Sequence, residues 1–71
     1  MIVSRRKIVL LMAEQQLTFS GLAQRSGLSR AGLGKALRRG ECAPATAGKI
    51  AHGLGVSVED VCSSGGRANG L

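Results

Sequence analysis

The sequence predicts an all-α fold, a compact bundle of five short helices, and three observations carry that expectation. Apolar residues recur at helical spacing in successive short segments. Most segments open on a Ser, Thr or Pro and close on or near a Gly, the usual start and stop signals of helices. The 71 residues include one Phe, no Trp and no Tyr. The core is therefore aliphatic, and aliphatic side chains at helical spacing pack into bundles without aromatic filler. The length allows one domain. A chain this short buries only about 60% of the surface its unfolded form exposes, so the helices must pack economically.

In chain order, Ser4 caps a first helix expected to run to about Gln16, with Ile8, Leu11, Met12 and Gln15 at i, i+3, i+4 and i+7. Arg5-Arg6-Lys7 ahead of an apolar run imitates an export signal. That run, Ile8 to Ala13, lasts six residues, against roughly 7–15 in a signal, and Glu14-Gln15-Gln16 stands where small residues should mark cleavage. A cytoplasmic protein is expected, and no stretch is long enough to span a membrane. Thr18 caps a second helix containing Leu22 and Ala23 and ending at Ser26-Gly27. Ser29 caps a third, with Leu33, Ala36 and Leu37 inward and Gly40 as its stop. Pro44 opens a fourth, where its missing N–H costs nothing, with Ala47, Ile50, Ala51 and Leu54 inward. Ser57-Val58-Glu59-Asp60 reads as a capping box for a fifth, with Val58, Val61 and Cys62 turned in. Residues 63–71 are Gly- and Ser-rich and aperiodic, a disordered tail behind a domain of residues 1–62.

Ten Lys and Arg against four Asp and Glu give a formal charge of +6, a field that attracts polyanions, whether nucleic acid or anionic membrane. Cys42 and Cys62 lack C-x-x-C spacing and His52 is the one histidine, so no metal set forms and two free thiols are the plainer reading. No carboxylate pair, Cys-His arrangement or phosphate-cradling loop supports an enzyme, and no cofactor or small-molecule ligand is expected.

The informative stretch is Thr18 to Gly40. Two short helices joined by a tight turn at Gly27 describe a helix-turn-helix, with Leu22, Leu28, Leu33 and Leu37 holding the angle between them. At about 100° per residue, turning Leu33 inward puts Ala31, Lys35 and Arg38 on the opposite face, with Gly34 and Arg39 on its flanks. Three stretches, Leu22-Ala23-Gln24-Arg25-Ser26-Gly27-Leu28-Ser29-Arg30, Pro44-Ala45-Thr46 and Lys49-Ile50-Ala51-His52-Gly53-Leu54-Gly55-Val56, resemble the Cro and phage-repressor (XRE-type) helix-turn-helix proteins in order and separation.

That resemblance implies a lambda-repressor-like fold and a bacterial, nucleoid-associated, repressor-like regulator of transcription that binds double-stranded DNA, with a recognition helix over about 29–39 in the major groove. On the family pattern Arg30 and Ala31 read bases and Lys35 follows along the groove. Arginine suits guanine O6/N7 and alanine a thymine methyl. Ser29 and Thr18, at helix N-termini, would hold phosphate, and Arg38 and Arg39 the backbone near the helix end. The sequence departs from the pattern at Phe19, where many relatives carry Gln, and at Leu37, where many carry Glu. Gly32 and Gly34 each cost the recognition helix about 1 kcal/mol relative to Ala. The alternative is the same fold used as an antitoxin-like protein-interaction module. A weak homodimer favoured on DNA is expected, through a small patch of Val58, Val61 and Cys62.

Overall fold

Three of the helices begin where a side-chain hydroxyl replaces a missing intrahelical acceptor. The computed structural model describes residues 1–63, which form α1 (Arg5–Glu14), α2 (Phe19–Ser26), α3 (Arg30–Arg39) and α4 (Pro44–Leu54), followed by one 3-10 turn, Val58–Asp60. The Ser4 hydroxyl oxygen accepts from the Lys7 N–H at 3.2 Å, Thr18 from Gly21 at 3.0 Å and Ser29 from Gly32 at 2.9 Å. Each such cap is worth about 1 kcal/mol. α4 instead starts on Pro44, with no side-chain cap. Gly27 (φ 74°) and Gly40 (φ 70°) end α2 and α3 in the left-handed region, which glycine adopts without the strain an L side chain would bring.

The largest fully buried side chains of the core are Ile8, Leu22, Leu33 and Ile50, one from each helix, and Val61, which follows the 3-10 turn. α2 lies closely against α4. A Cβ on Gly53 would stand 3.0 Å from the Ser26 backbone nitrogen and 3.1 Å from a Leu22 methyl, so only glycine lets the two helices approach this far. Ser26, the buried polar side chain of the core, donates its hydroxyl to the Leu22 carbonyl at 2.7 Å and so carries no orphaned group into it.

The expected fifth helix is a three-residue 3-10 turn, so the body consists of four α-helices and this turn. The Asp60 carboxylate accepts from the Ser57 N–H at 3.2 Å, as the capping box requires. Beyond it the chain straightens, because Cys62 pairs with Val3 in an antiparallel bridge. The opposite side of the same N-terminal segment pairs Ile2 with Glu41. The Val3 N–H donates to the Gly40 carbonyl, Ser4 to Val61 and Ser63 to Ile2, at 3.0, 2.8 and 3.2 Å. Met1–Val3 thus straps the α3–α4 connection to the end of the described chain, and Val3 is buried. Ser63, expected in the tail, belongs to the folded body, whereas residues 64–71 lie outside the described residues.

α1 is shorter than expected. It stops at Glu14, and Gln16 takes a positive φ of 54°. Gln15, on the expected inner stripe, remains exposed, but its side-chain amide donates to the Leu54 carbonyl at the end of α4. Among the described residues no helix is long and apolar enough to cross a membrane.

Candidate nucleic-acid interface

α3 is amphipathic in the way its sequence periodicity indicates. Leu33, Ala36 and Leu37 are buried. Arg30, Ala31, Gly32, Lys35, Arg38 and Arg39 are exposed, and Gly34 is half-buried. Seven of the expected site residues, Ser29, Arg30, Ala31, Gly34, Lys35, Arg38 and Arg39, therefore share one helix and its cap, six of them exposed. Thr18 stands apart, exposed at the N-cap of α2.

The charge along this stretch has one sign. Between Gln15 and Gly40 the chain carries Arg25, Arg30, Lys35, Arg38 and Arg39 and no Asp or Glu. The four acids, Glu14, Glu41, Glu59 and Asp60, all fall outside it. Among the described residues the hydrogen bonds between side chains and the rest of the protein involve none of these five cations. Their charge is available to a ligand. Arg38 and Arg39 also occupy the last turn of α3, where a cation stabilises the negative end of the helix dipole.

The starts of α2 and α3 have the chemistry of anion sites. Neither first turn holds an acid, and the leading N–H groups of a helix have no intrahelical acceptor. Each capping hydroxyl uses its oxygen as acceptor, which leaves its proton free to donate. Gly32 matters to this geometry, since a Cβ there would crowd the Ser29 hydroxyl at 3.0 Å.

Phe19 and Leu37, the two positions that depart from the pattern the sequence resembles, have structural uses. Phe19 is half-buried against the core, and its ring tip approaches Gly34, where a Cβ would lie 3.5 Å away. It braces the start of α2 against the middle of α3. Leu37 is buried, and it lines the same groove as Met12 of α1, which packs against the core from α1.

The expected dimer patch does not exist as a surface. Val61 and Cys62 are only 0% and 6% exposed, because the N-terminal segment covers them, and Val58 is half-buried. Among the described residues the exposed large hydrophobics are Met1, Ile2, Val9 and Leu10 instead, all within the first ten residues. Sequence reasoning missed them by following the inward stripe of α1. The apolar residues off that stripe, Val9, Leu10 and Ala13, were the available signal.

Cys42 and Cys62 are free thiols. Burial pushes the Cys42 thiol above its ordinary range, against the opposing pull of the N-terminal ammonium, so the reactive thiolate is disfavoured. Among the described residues no group of His, Cys, Asp and Glu is arranged to hold a metal ion, and His52 is exposed on α4. No protein-family model, curated protein or solved structure matches this chain.

Proposed function

We propose that the protein is a sequence-specific, double-stranded DNA-binding regulator of transcription, repressor-like in type, in which α2, the Gly27 turn and α3 act as a helix-turn-helix. The observation that carries this reading is the outer face of α3. It holds four exposed cations and, from Arg30 to Arg39, no acid, and the exposed Ala31 gives it low relief. A helix entering the major groove needs this combination of positive charge and steric access. Arg30, in the first turn, is the residue assigned to base reading. Arg38 and Arg39 are assigned to phosphates, as are the capped N-termini at Thr18 and Ser29.

Selection of bound duplexes from a random pool tests the proposal. The expected result is an enriched motif whose affinity falls with salt at a log–log slope of about −0.9 for each phosphate neutralised. A pool that never enriches, or a binding constant indifferent to salt, would overturn it.

A further inference from the structure

We infer that the groove between α1 and α3 is a docking site for an acidic amphipathic helix of another protein. Val9, Met12, Phe19 and Leu37 give the groove an apolar lining, Arg5 and Arg38 are its charged residues, and its volume is 390 Å³. Val9, on the α1 side of the groove, is 48% exposed, so the apolar lining reaches the open surface. An apolar groove between helices takes the i, i+3, i+4 and i+7 residues of an amphipathic helix.

Charge selects which helix. The groove has two guanidinium groups and no carboxylate, and a guanidinium receives a carboxylate through two parallel hydrogen bonds. A second copy of this chain brings another +6 and is repelled, whereas an acidic partner is drawn in by the same field.

Gly34 is the independent observation. A glycine inside a helix costs about 1 kcal/mol relative to alanine, and the protein's own packing does not demand one here. At Gly32 an added Cβ would meet the Ser29 hydroxyl at 3.0 Å, but at Gly34 it would meet only the Phe19 ring tip at 3.5 Å, an ordinary contact. What a methyl at Gly34 would occupy is the groove beside Phe19. The glycine keeps that floor open.

Arg38 belongs both to the groove and to the proposed phosphate contacts, so the partner and DNA compete for it. The docking rests on the groove alone, while the competition rests on the DNA-binding reading. Fluorescence anisotropy with the full chain tests both. The probes are a labelled two-heptad peptide with Leu and Phe on one helical face and Glu elsewhere, the same peptide with Lys for every Glu, and a scramble of the acidic one.

The acidic amphipathic peptide is expected to bind about tenfold tighter than either control, and Val9→Glu to weaken it by about the same factor. Gly34→Ala is expected to weaken it several-fold without lowering the melting temperature. Equal binding of the scramble or the Lys peptide, indifference to Val9→Glu, or sedimentation showing the groove filled by a second copy would overturn the docking. Displacement of bound duplex by the peptide is the expected outcome of competition, and a ternary complex would refute the shared use of Arg38. A chain that takes the peptide but no duplex from any pool would keep the docking and remove the DNA-binding reading.

Discussion

Arg30 and Arg38 stand on the same helix, both exposed, yet the account gives them different work. If Arg30 reads a base as proposed, Arg30→Ala should cost about 1–3 kcal/mol on the selected site and little on random duplex. If Arg38 holds a phosphate as proposed, Arg38→Ala should weaken both duplexes alike. Competition titrations on the two DNAs check this, and equal proportional losses for both variants would contradict the assignment. Two glycines of α4 make a matching pair for stability. A Cβ at Gly48 meets nothing within 4 Å, whereas at Gly53 it meets Ser26 and Leu22 at 3.0–3.1 Å. Gly48→Ala should therefore stabilise by up to about 1 kcal/mol, and Gly53→Ala should destabilise by about 1–3 kcal/mol through overpacking. Denaturant titration of the two variants gives the signs directly. The sequence alone marked the caps Ser4, Thr18 and Ser29 and the stop at Gly40, because cap chemistry acts over three or four residues. It could not distinguish Gly48 from Gly53, because the difference lies in α2, more than twenty residues away in the chain.

At the scale of elements, the four helices were legible because each carries its own period and its own signals. The 3-10 turn and the N-terminal strap were not. Ile2 and Val3 are β-branched, but nothing local indicates that they pair with Glu41 and Cys62. That pairing also explains why the expected last helix is cut short and why its valine and cysteine are unavailable as a dimer contact. The strap makes a prediction of its own. The amides of Val3, Ser4 and Cys42 donate to Gly40, Val61 and Met1, so they should exchange with solvent as slowly as amides of the helical core. Exchange at the rate of a frayed terminus would show that the strap does not hold the body together. The core is more conventional: Leu33 is fully buried at the centre of α3, and its truncation to alanine belongs to the class that costs about 2–5 kcal/mol.

Over the whole molecule, charge and apolar exposure are unevenly placed, and the two surfaces proposed to act follow that unevenness. From Arg30 to Arg39 the outer face of α3 gathers cations and no acid, while among the described residues the exposed large hydrophobics belong to α1 and the segment before it. A folded chain with +6 and 71 residues will attract any polyanion, so attraction to DNA is a weak result by itself. The central claim is that one face, α3 with the capped start of α2, makes the contact. Amide chemical shifts of the labelled chain, followed while a selected duplex is added, test it most directly. The account predicts the largest perturbations over residues 29–39 and at 18–21, with α4 and the 3-10 turn little changed. Perturbations centred on α1 or α4, or spread evenly over every Lys and Arg, would contradict it.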